Sequence, residues 1–233
     1  MPSGLPGKKI VVVSPHSDDG VLSLGAAMAS WARGGARVEL LTVFALDLTS
    51  DAPAGGWDAR GGFRTEGDAA AGRRAEDVAA CAVLGAIPAW LPFGSVDYER
   101  HGDETAVRDA VVAAAEDVDV LLLPGSPLTH PDHERLARAL VGRRLGSRRL
   151  GLYVEQPYGR RTEGEPLVPP WVEEALGARP VFSSVPAGAR DRVAKWRAVR
   201  EYRTQLPLLG MARNLRRGPH SLVVGELVAW IDP

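Results

Sequence analysis

The sequence predicts an α/β protein, a three-layer sandwich with a mainly parallel sheet between two layers of helices. Two observations lead to this prediction. Short apolar runs rich in β-branched residues alternate along the chain with longer segments whose apolar residues recur at helical spacing. The 233 residues contain no internal repeat and no low-complexity linker, so residues 1–233 are expected to form one domain.

The first half of the chain supplies three predicted strands and two predicted helices. Residues 9–14 read KIVVVS, a β-branched run typical of a strand that is buried on both faces. A helix is expected at residues 20–33, and Gly34 and Gly35 would end it. Further strands are expected at residues 37–44 and 89–93, with a helix between them at residues 70–84.

The second half continues the alternation. Strands are predicted at residues 118–123, 150–155, 181–184 and 222–231, and helices at residues 104–117, 131–145 and 189–203. The stretches at residues 47–72 and 157–170 are too long for simple connections, so we expect functional loops there.

Composition excludes several classes of protein. The 28 basic and 29 acidic side chains give a net charge of −1, which argues against nucleic acid or an anionic membrane as a partner. No apolar stretch approaches the roughly 20 residues of a membrane span, and residues 1–9 do not resemble a signal peptide, so we expect a cytoplasmic protein. Cys81 is the single cysteine and is expected to be a buried structural thiol.

Histidines and carboxylates follow two of the predicted strands. Residues 15–19 read PHSDD after the first strand, and residues 130–133 read HPDH after the strand at 118–123. Ligands of open parallel sheets bind outside the carboxyl ends of the strands. We therefore expect these two segments to share one edge of the sheet and to form a site there.

The residue types in these two segments suit a catalytic metal ion. A catalytic zinc takes three protein ligands and leaves one position open, and His16, Asp19 and His133 could supply a set of two histidines and one carboxylate. Such a set also suits Fe²⁺ or another divalent metal. Asp18 would then be available as general base, and His130 could stabilise an oxyanion or protonate a leaving amine.

Helix capping is the alternative explanation for each residue taken singly. Asp18 and Asp19 could cap the helix that follows them, and His130 with Pro131 could form an ordinary helix start. Capping does not explain why two such clusters follow two strands, whereas a metal site requires them.

The two segments also carry a family resemblance. Residues 15–22 resemble the P-H-x-D-D-x-x-L signature of the LmbE/PIG-L-like zinc-dependent N-deacetylases, and residues 130–133 are similar to their second motif, H-P-D-H. Weaker similarities lie at Arg73 with Glu76 and the terminal Leu84-Gly85, at Asp97, and at Lys195, Ala198, Tyr202 and Gln205. The likeness spans most of the chain, and the first two motifs together are its specific part.

The resemblance implies a Rossmann-like fold and hydrolysis of an N-acyl group, usually acetyl, from an amino sugar or a glycosylated metabolite. It implies zinc ligation by His16, Asp19 and His133, with Asp18 as general base. The remaining implied roles belong to His130 as electrostatic or acid partner, Asp132 orienting a histidine, and Arg73 (or the adjacent Arg74) and Asp97 contacting substrate.

Some positions depart from the family pattern or stay open. Leu128 stands two residues before His130, where some amino-sugar deacetylases have a tyrosine that helps the oxyanion. Glu155 is either a wall of the pocket or a partner of a helix dipole or of an ion pair. Three aromatic residues of the two loops could line a hydrophobic pocket or simply pack: Trp57, Phe63 and Tyr158. A structural role is expected for Lys195, Tyr202 and Gln205, which lie near one face of a predicted helix.

Two other functions remain as alternatives to an amino-sugar deacetylase. The same centre could cleave the amide of a thiol conjugate or another small molecule. A non-catalytic Rossmann-like binding protein is the second alternative, but no G-x-G-x-x-G follows the first strand, which argues against a dinucleotide. The sequence leaves the native substrate and a homo-oligomeric state open.

Overall fold

The computed structural model describes residues 8–98, 103–158, 166–211, 218 and 225–231. A seven-stranded sheet forms its centre, built from β1 (Lys9–Ser14), β2 (Arg37–Thr42), β3 (Ile87–Trp90), β4 (Val120–Ser126), β5 (Arg149–Val154), β6 (Phe182–Ser184) and β7 (Leu227–Ile231). The strand order is β3-β2-β1-β4-β5-β7-β6. Strands β1 to β5 pair in parallel, while β7 is antiparallel to both β5 and β6. The predicted α/β fold with a mainly parallel sheet is confirmed.

Helices cover both faces of this sheet. They are α1 (Asp19–Arg33), α2 (Gly56–Arg60), α3 (Glu66–Leu84), α4 (Glu104–Ala114), α5 (Pro131–Leu140), α6 (Pro170–Leu176) and α7 (Ala189–Val199). Alternate residues of β1 belong to different cores: Ile10 and Val12 pack on the side of α1, α3 and α7, and Val11 and Val13 on the side of α4, α5 and α6. The β-branched run of β1 is therefore buried on both faces, as its sequence predicts.

Several element boundaries differ from the sequence prediction. The helix expected at 70–84 begins earlier, at Glu66, because the Thr65 side chain caps it by accepting from the Asp68 amide. The helices expected at 104–117, 131–145 and 189–203 end earlier, at Ala114, Leu140 and Val199. The loop expected at 47–72 contains the short helix α2, and a second short helix, α6, begins at Pro170, where the stretch expected at 157–170 ends; the sequence predicted neither helix. Residues 222–224 of the last expected strand lie outside the described residues.

A buried ion pair holds a kink in α1. Leu24 has non-helical dihedral angles (φ −128°, ψ 15°), and the amides of Ala26 and Ala27 donate to the carboxylate of Glu226 at 2.9 and 2.7 Å. The Lys195 ammonium donates to the same carboxylate at 2.8 Å, and both side chains are about 4% exposed. Lys195 thus has the structural contact that the sequence analysis expected, and it ties α7 to α1.

Replacing Glu226 with glutamine is expected to destabilise the fold by about 3 kcal/mol, because the buried Lys195 ammonium would lose its counter-charge. Urea unfolding would measure the loss. Glu134→Gln is the matched control, since the Glu134–Arg138 pair on α5 is exposed and is expected to contribute less than about 1 kcal/mol. Equal unfolding midpoints for the two variants would contradict this view of the ion pair.

Two predictions from composition can be compared with the structure. Cys81 is buried, as expected, and burial raises the pKa of its thiol to about 12. Among the described helices none has the length and apolar character that crossing a membrane requires.

Candidate metal site at the carboxyl end of the sheet

The two histidine-bearing segments meet where β1 and β4 end. These strands are neighbours in the sheet and parallel, so their carboxyl ends lie side by side. Residues 15–19 leave β1 and start α1, while residues 127–133 leave β4 and start α5. A cavity of about 240 Å³ opens between them, and its lining includes His16, Asp18, Asp19 and His130. The expected convergence of the two motifs on one edge of the sheet is thus present.

Three polar atoms form a nearly equilateral triangle beside this cavity. His16 Nδ1 lies 3.2 Å from Asp19 Oδ2 and 3.2 Å from His133 Nε2, and His133 Nε2 lies 3.1 Å from Asp19 Oδ2. Ligand atoms of a tetrahedral ion with bonds of about 2.0–2.1 Å are about 3.4 Å apart. The donor types and their spacing therefore fit a small divalent cation held by these three residues.

A second carboxylate contacts the far nitrogen of each histidine in the triangle. His16 Nε2 lies 2.9 Å from Asp132 Oδ2, and His133 Nδ1 lies 2.6 Å from Glu155 Oε1. Both carboxylates are fully buried. A carboxylate in this position fixes the ring orientation and leaves the other nitrogen free to bind a metal. The structure thereby resolves the open assignment of Glu155 in favour of an ion-pair partner.

The charges around the triangle shift several pKa values. Burial lowers the pKa of His133, but Asp19 and Glu155 outweigh it and the net pKa is raised well above the ordinary value. The pKa of Asp19 is depressed despite its burial because His133 and His16 stabilise the carboxylate. The histidines thus stabilise the ionised form of Asp19, and the carboxylates stabilise the charged form of His133. An ionised carboxylate is the form that binds a metal.

His130 offers a second possible triplet. Ring nitrogens of His16, His130 and His133 lie within 4.8 Å of one another. However, His130 Nδ1 accepts the Asp132 amide at 3.2 Å and so caps α5. The capping explanation therefore holds for His130. Burial, together with His16 and His133, lowers the pKa of His130 to about 4, so its neutral ring carries a proton on Nε2.

Asp18 is not explained by capping. It occupies the position before α1, yet its side chain makes no capping hydrogen bond, and its backbone has φ 95°. Such a conformation is strained for a residue other than glycine and persists only where the surroundings enforce it. Burial, and then the charge of Asp19, raise the pKa of Asp18 well above the ordinary value. The strained backbone presents this carboxylate to the cavity beside the triangle.

Asp77 on α3 holds this strained turn in place. No sequence motif points to this residue. Its buried carboxylate accepts four side-chain hydrogen bonds at 2.8–3.1 Å, from Ser17, Thr42, Trp90 and Tyr202. Gln205 Nε2 in addition donates to the Ser17 carbonyl at 2.6 Å. Tyr202 thus has a structural contact, as expected, whereas Gln205 also lines the cavity.

Part of the cavity lining comes from the 47–72 stretch and α3. Arg73 lines the cavity and forms a buried ion pair with Asp58 on α2. Arg74 points elsewhere, since its guanidinium donates to the Leu46 carbonyl and stacks over Trp90. The geometry therefore places Arg73 rather than Arg74 at the cavity. Asp97 also lines it and accepts the amide of Trp57 at 3.3 Å.

The three aromatic residues of the loops differ in position. Trp57 and Tyr158 line the cavity, and the Tyr158 ring stands edge-on to His133 with 5.6 Å between ring centroids. Phe63 packs beside Arg73 at the edge of a small apolar cluster. Trp57 and Tyr158 thus line the cavity, whereas Phe63 packs against its neighbours.

The protein is thus an α/β protein with a mainly parallel sheet and a cavity lined by histidines and carboxylates at the carboxyl ends of its strands. A family model described as PIG-L, GlcNAc-PI de-N-acetylase, matches residues 11–142. The chain belongs to this family, and the resemblance found in the motifs is confirmed.

Solved structures similar to this chain include several deacetylases. The A40926 pseudoaglycone deacetylase Dbv21 has 29% identity and a TM-score of 0.73, with 95% of this chain and 96% of that chain covered. The zinc-inhibited form of teicoplanin deacetylase Orf2 has 21% identity, a TM-score of 0.73 and coverage of 96% and 97%. For N,N'-diacetylchitobiose deacetylase from Pyrococcus horikoshii these values are 15%, 0.60, and 96% and 82%. A search of curated proteins found no significant match.

Proposed function

We propose that this protein is a metal-dependent hydrolase that removes an N-acyl group, usually acetyl, from an amino sugar in a glycosylated small molecule. The observation that carries the proposal is the triangle of His16, Asp19 and His133 donor atoms with the unused carboxylate of Asp18 in the same cavity. Family membership and the likeness to a pseudoaglycone deacetylase at 29% identity support the reaction and the substrate class. One domain carries the whole site in this proposal.

The three residues of the triangle would hold the metal, and Asp132 and Glu155 would orient the two histidines. When bound, such an ion supplies Lewis-acid charge that activates water and polarises the amide carbonyl. Zinc and ferrous iron both suit two histidines and one carboxylate. Because a zinc-inhibited form of teicoplanin deacetylase is known, the substrate test below compares several metals.

The side chains around the triangle have distinct tasks in the reaction. Asp18 accepts the proton of the attacking water and returns it to the leaving nitrogen, because its carboxylate has no capping bond and faces the cavity. His130 donates from Nε2 to the oxyanion, since Nδ1 is occupied by the Asp132 amide. Arg73 and Asp97, which also line the cavity, contact polar groups of the substrate.

Replacing Glu155 with glutamine is expected to weaken metal binding by about 10- to 100-fold, because the amide would no longer fix the His133 ring by charge. Calorimetric titration of the metal-free protein with Zn²⁺ would measure the change. Glu134→Gln is the control, since Glu134 neighbours His133 in sequence but is exposed on α5. Indistinguishable affinities for the two variants would remove Glu155 from the metal site.

A substrate panel tests the proposed reaction. Release of primary amine would be followed with fluorescamine across N-acetylated amino sugars, glycosylated antibiotics with N-acylated sugars, and amides of thiol conjugates, with Zn²⁺, Co²⁺ or Fe²⁺ added in turn. We expect release from the N-acylated sugars. Cleavage of the thiol conjugates alone would replace the proposal by the amidase alternative. No release with any substrate and metal would leave a non-catalytic binding protein.

A further inference from the structure

The segment between β4 and α5 contributes the imidazole of His130 to the cavity lining. Leu128 stands two residues before His130, and its side chain has no hydrogen-bond donor. Its side chain is buried, and its amide donates to Glu155 Oε2 at 3.1 Å. Its positive φ of 58° fixes the turn. Leu128 therefore supplies no hydrogen-bond donor to the cavity, because its side chain is apolar and its amide is already bonded to Glu155.

Tyr158 lines the same cavity from a different segment. It follows β5, the neighbour of β4 in the sheet, and lines the cavity together with His16, Asp18 and His130. Its ring is nearly perpendicular to that of His133, at 83° and with 5.6 Å between centroids. The residue is 37% exposed, so a substrate that enters the cavity can reach it.

The Tyr158 hydroxyl differs from the other described tyrosine hydroxyls. Those of Tyr98, Tyr153 and Tyr202 donate to Asp58, to the Val13 carbonyl and to Asp77. Within the described part of the chain, no residue accepts a hydrogen bond from Tyr158. A tyrosine hydroxyl stays protonated near neutral pH, since its ordinary pKa is about 10. Tyr158 thus has an uncommitted donor at the cavity, whereas the other three serve packing.

We propose that Tyr158 is a catalytic residue that donates a hydrogen bond to the carbonyl oxygen of the scissile amide as negative charge develops on it. The proposal rests on the proposed deacetylase function. Water adds to the carbonyl carbon and gives a proton to Asp18; the C–N bond then breaks and the nitrogen takes that proton. Tyr158 keeps its own proton throughout, so its contribution is electrostatic. It adds, from the segment after β5, a donor that Leu128 does not supply.

The test compares Tyr158→Phe with Tyr153→Phe in the metal-loaded protein. Losing an oxyanion donor costs about 10²-fold in kcat, so we expect that loss for Tyr158→Phe on an N-acetyl amino sugar, with KM and metal content little changed. The loss should be smaller on the N-trifluoroacetyl analogue, because its fluorines already stabilise the oxyanion. Tyr153→Phe removes a buried hydroxyl outside the cavity, so it is expected to lower the melting temperature and to leave kcat unchanged.

A binding measurement gives a readout without turnover. A methylphosphonamide analogue of the acetamide has tetrahedral oxygens like the oxyanion, and we expect Tyr158→Phe to bind it about 10²-fold more weakly than wild type. Unchanged kcat and analogue affinity in an active enzyme would overturn the role of Tyr158. An equal loss on both acyl groups with unchanged analogue affinity would show a structural role instead. If the wild type hydrolyses no N-acyl amine, the proposed function fails and the role of Tyr158 falls with it.

Discussion

Asp18→Asn is expected to lower kcat by about 10³-fold while the protein keeps its full complement of metal. General-base catalysis by a positioned side chain contributes about 10²–10⁴-fold, and asparagine cannot accept the proton of the attacking water. Asparagine also tolerates positive φ better than most residues, so the backbone at φ 95° should survive. Steady-state kinetics and elemental analysis of the same protein sample would measure both quantities.

The control for this prediction is Asp119→Asn. Asp119 lies directly before β4, at the opposite edge of the sheet, and pairs with Lys8. The variant changes the same charge without touching the cavity, so its kcat should equal that of the wild type. If Asp18→Asn retained more than a tenth of the wild-type kcat, Asp18 would not be the general base.

Alanine at His16, Asp19 or His133 is expected to weaken metal binding by more than about 100-fold and to abolish turnover. Loss of an orienting residue alone costs about 10- to 100-fold in affinity, and loss of a direct ligand should cost more. Each of the three atoms lies 3.1–3.2 Å from the other two, so removal of one leaves an incomplete donor set. Calorimetric titration of the metal-free variants with Zn²⁺ would measure the affinities.

His130→Ala distinguishes the two possible donor triplets. If His16, Asp19 and His133 hold the metal, His130 is not a ligand, so His130→Ala keeps the wild-type affinity and loses only turnover. If the three histidines hold it instead, His130→Ala loses the metal and Asp19→Ala keeps it. The second pattern would contradict a metal site at His16, Asp19 and His133.

The centre of the fold was predictable because β1 and β4 are short apolar strands buried on both faces. The run KIVVVS at β1 and the apolar run at the start of β4 indicate central parallel strands, and their pairing brings the PHSDD and HPDH segments together. Helix ends were less predictable. The residues after Val199 continue a helical pattern in sequence, but there the chain turns so that Tyr202 and Gln205 reach Asp77 and Ser17. Tertiary contacts override local propensity at this point.

Apart from Asp132, to which the family resemblance gave the task of orienting a histidine, the residues that support the site could not be predicted from the sequence. Glu155 follows β5 in the sequence, but whether its side chain faces His133 or a helix depends on the path of the strand end. Asp77 has the spacing of an ordinary helical residue, and its four hydrogen-bond donors come from four separate segments. The pairing of Arg73 with Asp58 likewise depends on α2, a five-residue helix that periodicity does not reveal.

Removal and return of the metal tests the central claim most directly. The protein would be dialysed against a chelator and assayed for amine release from an N-acetyl amino sugar, and divalent metal would then be added in measured amounts. We expect no turnover without metal and recovery that saturates at one ion per chain. Full turnover in the demonstrably metal-free protein would contradict a metal centre at His16, Asp19 and His133.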